Sequence, residues 1–239
     1  MKKIVLVLLL AIAFFTMASA QQTGLQEGLA LKYLVQLPTE QSPHAPVIIL
    51  LHGYGSNEKD LFELRNFFPK NYLVIAARAP YELSGGGYQW YEMTNINGIH
   101  DGKPADLANS RKLIGEFITQ IVTKYKADAK HVYLMGFSQG AIMSYQVGLT
   151  EPSLLRGIGV LSGTIYPSLK PLMKMKEAKR LKIFVAHGSM DERISFADGK
   201  AASDYLKAHG LNPEFHTYEG MGHSISKDVL TDLVKWLKK

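Results

Sequence analysis

The run from Val132 to Ala141, VYLMGFSQGA, constrains the fold more than any other stretch of the chain. It places a serine between two glycines where a short apolar strand, Val132 to Met135, gives way to residues at helical spacing, Ala141 to Val147. A strand that turns directly into a helix leaves little room for side chains at the corner. The flanking glycines, Gly136 and Gly140, therefore read as steric necessities, and Ser138 as the residue pushed out of the corner. A serine so placed faces the positive end of a helix, where an alkoxide or oxyanion is favoured, and the amide of Gln139 is in position to donate to it.

A hydroxyl needs a base to become a nucleophile, and the base needs a carboxylate to orient it. Both follow in the sequence. The apolar segment Leu181 to Ala186 runs into the loop His187-Gly-Ser-Met-Asp191, and the segment Glu214 to Tyr218 runs into Glu219-Gly-Met-Gly-His223. Asp191 and His223 thus each stand in a loop after the C-terminal end of a strand, where open parallel sheets assemble their sites. Glu192 is the rival carboxylate, and the distance from the preceding strand favours Asp191. His44, His100, His131, His209 and His216 lie outside any motif and read as surface or packing residues. His187 reads as a brace for the acid's own loop.

Acyl transfer also needs a second backbone donor, from a loop after an early strand. The run Leu50-Leu-His-Gly-Tyr-Gly55 supplies such a loop, with Tyr54 as the candidate amide and His52 as a support behind it. The stretch 80–103 is rich in glycine and aromatic residues, and Trp90, Tyr88 and Tyr91 are its candidate substrate-binding residues. The stretch 162–180, with Leu169, Leu172, Met173 and Met175, is a second candidate flank of a groove.

The set Leu51 to Asn57, Gly136 to Gly140, His187 to Asp191 and Gly222 to Ile225 resembles the phospholipase/carboxylesterase family, which includes acyl-protein thioesterases. The likeness runs from about Pro46 to near the end of the chain. It implies an α/β-hydrolase fold, a mostly parallel central sheet with helices on both faces and no large cap domain. It further implies a serine hydrolase acting through Ser138, Asp191 and His223, with the Tyr54 and Gln139 amides as oxyanion donors, and an aromatic pair at Trp90-Tyr91 near the acyl pocket.

The front of the chain departs from the intracellular thioesterases of that family. Lys2 and Lys3, an apolar run and Ala18-Ser-Ala20 have the form of a signal peptide cleaved before Gln21, which leaves residues 21–239 as a single catalytic domain. The apolar run is shorter than the roughly 20 residues of a membrane span, so soluble export to the periplasm or beyond is expected, without stable membrane insertion. Export turns attention from cytosolic lipidated proteins to extracellular carboxylic esters. Acyl or feruloyl groups on polysaccharides are one candidate, and short-chain lipid or generic esters, with lysophospholipase-like or thioesterase activity, the other; the aromatic loop leans to the former.

Composition removes other classes. There is no cysteine, hence no disulfide, no thiolate metal site and no lipid-anchoring cysteine. Cleavage of the leader lowers the formal charge from +6 to about +4. The basic residues are dispersed and no nucleic-acid motif accompanies them, so nucleic acid is not an expected partner. No H-E-x-x-H run is present and the proposed chemistry requires no cofactor. A silent ester- or glycan-binding relative would lack one triad member, and none is missing. An exposed edge strand leaves homodimerisation open.

Alternation of segments predicts strands at 31–37, 47–51, 72–77, 132–135, 157–161, 183–186 and 214–218, and helices at 58–67, 104–125, 139–149, 196–209 and 226–238. The first two strands read as a hairpin-like antiparallel edge.

Overall fold

The computed structural model describes residues 24–40 and 44–239. The leader assigned to residues 1–20 lies outside the described residues. In chain order the elements are β1 (Tyr33–Gln36), β2 (Val47–Leu51), α1 (Glu58–Phe62), β3 (Leu73–Ala77), β4 (Tyr81–Glu82), β5 (Tyr88–Gln89), β6 (Met93–Ile96) and β7 (Ile99–Gly102). They continue with α2 (Pro104–Tyr125), β8 (Val132–Phe137), α3 (Gln139–Thr150), β9 (Gly157–Leu161), β10 (Lys182–Gly188), α4 (Phe196–Ala208), β11 (Glu214–Tyr218) and α5 (Lys227–Leu237).

Seven strands form one sheet in the order β1-β3-β2-β8-β9-β10-β11, parallel except for β1. The expected antiparallel edge is present, but its pairing differs: β1 lies against β3, with Tyr33 opposite Ala77, and not against β2. Residues 37–46 join β1 to β2, longer than the two to five or so residues of a tight hairpin loop. In the sheet, β3 occupies the place between them.

Alternation along each strand sends side chains to two cores. In β2, Val47, Ile49 and Leu51 join the face covered by α2, α3 and α4, where Phe117, Tyr145 and Leu206 are buried. Ile48 and Leu50 join the opposite face, closed by Leu61 of α1 and by Leu233 and Trp236 of α5. Full burial of side chains of this size contributes roughly 1.5–3 kcal/mol each. Every residue of α3 is buried, so the helix that starts at the serine is clamped on all sides and holds that corner still.

Helix ends follow the local chemistry. Asn57 caps α1 by accepting from Lys59 N–H, Ser195 caps α4 by accepting from Asp198 N–H, and Ser226 caps α5 by accepting from Val229 N–H. The first predicted helix, 58–67, is α-helical only to Phe62 and then tightens into a 3-10 turn over Glu63–Phe67. Two short antiparallel pairs are not among the expected strands: β4 with β5, and β6 with β7, the latter a hairpin around Asn97-Gly98, both with positive φ (54° and 82°). An Asn-Gly pair is the strongest short-range sign of such a turn.

Candidate active site

Ser138 joins β8 to α3 with φ 56° and ψ −116°, a backbone conformation that costs a non-glycine residue on the order of 1–3 kcal/mol. The corner is held from both sides. A Cβ on Gly136 would overlap the Gly140 carbonyl, and a Cβ on Gly140 would overlap the Leu51 carbonyl of β2. Only glycine fits either place.

Asp191 follows β10 and His223 follows β11, so the parallel sheet brings both loops to the same end as Ser138. The Ser138 hydroxyl is 2.8 Å from His223 Nε2. His223 Nδ1 lies 2.8 Å and 3.0 Å from the two Asp191 carboxylate oxygens. With the ring proton on Nδ1 facing the carboxylate, Nε2 is the acceptor for the serine proton. Burial of Asp191 raises its pKa, yet hydrogen bonds from His223 and from the Ile194 and Arg193 amides outweigh burial and hold the carboxyl below its ordinary value. It is a fixed anion at neutral pH. His187 donates from Nε2 to the Ile194 carbonyl at 2.9 Å and stands 3.5 Å from Asp191 Oδ2, which is the bracing geometry read from sequence.

On the facing side, Tyr54 sits at the turn after β2. Among the described residues its N–H meets no backbone acceptor, while the neighbouring Gly55 N–H donates to the Tyr88 carbonyl. The Gln139 N–H is the first of α3 and so falls outside the helical ladder. Tyr54 and Gln139 line the same cleft as Ser138, which makes their two amides the candidate oxyanion donors.

Two buried assemblies fix the Tyr54 loop. His52 donates from Nδ1 to the Gly53 carbonyl at 2.7 Å and accepts the Ala79 N–H on Nε2 at 3.1 Å. Burial pulls its pKa down, keeping the ring neutral for both bonds. Behind Tyr88, Arg78 forms a two-pronged pair with Glu58, 2.6 Å and 2.8 Å long, and its guanidinium lies 4.5 Å from the centre of the Tyr88 ring. Glu58 is 1% exposed. The partnership of Glu58 and Arg78 was not read from sequence, because charged residues 20 positions apart carry no spacing signal.

Three expected substrate-binding residues fall in different places. Trp90 is fully buried and does not line the cleft: its indole donates to the His52 carbonyl at 2.9 Å, and its own N–H donates to the Gln139 side chain at 2.7 Å. Its size and single donor suit it to a core position between the His52 loop and the start of α3. Tyr88 is likewise a support, drawn away by Arg78, and borders a separate surface hollow. Tyr91 is also fully buried, but it packs directly behind the cleft wall, where its hydroxyl donates to Tyr166 at 3.3 Å. Of the 162–180 stretch, Thr164 and Tyr166 border the cleft, whereas Leu169 is buried in the core.

The cleft over Ser138 holds about 360 Å³, and its apolar wall includes Tyr54, Met93, Ile142, Tyr166 and Ile194. That volume suits a small acyl or aryl group. Met93 comes from the β6–β7 hairpin, and Ile142 from the first turn of α3.

The phospholipase/carboxylesterase family model matches residues 35–239. A probable carboxylesterase SOBER1-like of Arabidopsis thaliana is 31% identical over 205 residues, covering 80% of this chain and 78% of the relative. Acyl-protein thioesterase 1 homolog 1 of Dictyostelium discoideum is 27% identical, over 84% of this chain and 92% of its own length. Among solved structures, a carboxylesterase from Mesorhizobium loti shares the fold with a TM-score of 0.79 at 19% identity, covering 91% of this chain and 99% of that one. The chain belongs to the phospholipase/carboxylesterase family and is a serine hydrolase of carboxylic esters.

Proposed function

We propose that this chain is an exported carboxylesterase that works through an acyl-serine intermediate and releases acyl or feruloyl groups from polysaccharide. The reading is carried by one observation, the continuous hydrogen-bonded line from Ser138 through His223 to Asp191 at the floor of a small aromatic-walled cleft. His223 takes the hydroxyl proton as Ser138 attacks the ester carbonyl. Asp191 holds the ring in the tautomer that leaves Nε2 free to accept, and stabilises the imidazolium that forms. The Tyr54 and Gln139 amides take the charge that develops on the carbonyl oxygen. His223 then returns the proton to the departing alcohol, and water repeats the sequence to free the acid and the serine.

Export rests on the leader-like residues 1–20, and polysaccharide acyl groups on the tyrosine-rich, modest cleft. A second reading, a short-chain lipid esterase, draws on Met93, Ile96 and Ile99, which stand exposed on the hairpin beside the cleft. The two readings part on kcat/KM across acetyl, butyryl, octanoyl and feruloyl esters, with Ser138→Ala as the blank. An acetyl or feruloyl optimum supports polysaccharide acyl groups; an octanoyl optimum overturns that choice in favour of lipid-like esters.

A further inference from the structure

Beyond Tyr166 the cleft does not end. A second hollow of about 300 Å³ shares His100, Thr164, Tyr166 and Asp198 with the first and runs on to Gly98 and Ile99 at the hairpin tip. We propose that this extension is a polar subsite for the alcohol half of the ester, and that it takes a sugar or polyol through Asp198, Thr164 and His100. The proposal rests on the esterase reading above and names the leaving group of that same site.

The chemistry of the lining changes along the groove. Met93, Ile142 and Ile194 line only the hollow over Ser138, together with Arg193. The Asp198 carboxylate, the Thr164 hydroxyl and the His100 imidazole are common to both hollows and are the side-chain polar groups of the outer one apart from the Tyr166 hydroxyl. A long hydrocarbon lying there would strip water from these groups and return no hydrogen bond, which is costly for a carboxylate above all. Sugar hydroxyls replace that water with donors and acceptors of the same kind.

The polar groups have capacity to spare. One Asp198 oxygen accepts from Ser195 Oγ at 2.7 Å within the α4 cap. Among the described residues the other oxygen has no protein donor, and the nearby Lys200 is paired with Asp204 instead. Thr164 donates its hydroxyl to the Asp198 backbone carbonyl at 3.2 Å, which leaves its oxygen lone pairs as acceptors. A pair of sugar hydroxyls, each a donor, matches these acceptors. The exposed Ile99 side chain and the Tyr166 ring offer apolar surface to the C–H face of a pyranose or furanose.

The groove has fixed walls. Asp101, on β7, accepts from both the N–H and the hydroxyl of Ser168 at 3.0 Å and 2.7 Å, which fastens the hairpin to the 3-10 turn Pro167–Leu172. The Tyr91–Tyr166 hydroxyl contact joins the residues just before each of these segments.

The test uses the full-length chain and one acid in two esters: ferulic or acetic acid as its methyl ester, and as its ester with the primary hydroxyl of a methyl glycoside. The readout is the ratio of the two kcat/KM values, so any general loss of activity cancels. Wild type is expected to favour the sugar ester by about tenfold or more, the yield of a charge-assisted hydrogen bond. Asp198→Asn, which keeps the Ser195 cap to the residue-198 amide, should bring the ratio close to one, chiefly through KM. Thr164→Val should reduce it part of the way. A wild-type ratio near one while the methyl ester is hydrolysed overturns the subsite and leaves the esterase reading standing. A sugar preference that survives both substitutions overturns it as well. Loss of Ser138-dependent turnover on both esters in the wild type removes the esterase reading itself.

Discussion

Ser138, His223 and Asp191 form one unit in which each member's position depends on the next. The Asp191 carboxylate faces His223 Nδ1 through both oxygens while two backbone amides hold it from behind, so it is an anchored anion. Asp191→Asn should keep the fold and lower kcat by about 10⁴-fold, because an amide no longer selects the tautomer that leaves Nε2 as acceptor. Steady-state kinetics alongside an unchanged circular dichroism spectrum would check this. His52 gives a separate prediction, on stability. Burial places its folded pKa below the unfolded value of about 6.5, so between the two values the unfolded chain binds more protons. Stability is therefore full above that range and falls as pH drops through it. His52→Gln should lower Tm at pH 8, and the gap to wild type should narrow at pH 5. A gap that is constant across this interval would contradict the assignment of a neutral, buried ring.

The elements that carry the triad were legible in the sequence because each has a local signature. The strand-turn-helix at Gly136–Gly140 is marked by its glycines, and the two loops after β10 and β11 by their apolar strands. The supports behind the oxyanion loop were not legible, since Glu58, Arg78 and Trp90 act through contacts between elements distant in the chain. Aromatic content in 80–103 suggested a pocket wall, and Trp90 shows why that inference fails: the same large ring also fills a core, and composition does not distinguish the two. The pairing of β1 with β3 escaped for a like reason, because strand order is set by the crossover and not by either strand's pattern. The Glu58–Arg78 pair is the element-level contact whose loss should matter most. Glu58→Ala leaves a guanidinium that is 20% exposed without its partner, and should destabilise the fold by about 3 kcal/mol, measurable by urea unfolding.

The described residues build one seven-stranded sheet with a core on each face and two small hairpins beside it, and the loops of Ser138, Asp191 and His223 gather at the C-terminal ends of the parallel strands. The N-terminal ends carry a separate basic hollow of about 430 Å³ bordered by Arg156, Lys182 and Lys238, larger than the cleft over Ser138 but remote from the triad. Size alone does not locate chemistry; the convergence of nucleophile, base and oxyanion donors does. Export belongs at this level too. Expressed with its leader in a bacterial host, the chain should be recovered outside the cytoplasm with Gln21 as its N-terminus by intact-mass analysis, and retention in the cytoplasm at full mass would contradict that proposal.

The most direct test of the whole argument is to identify the residue that a fluorophosphonate modifies in the native chain. Such a reagent phosphonylates a serine activated by a neighbouring base and mimics the tetrahedral intermediate. The prediction is a single stoichiometric adduct mapped by peptide mass spectrometry to Ser138, abolished in His223→Ala. Labelling of a different residue, or none in a folded and hydrolytically active protein, would contradict the assignment of Ser138 as the nucleophile.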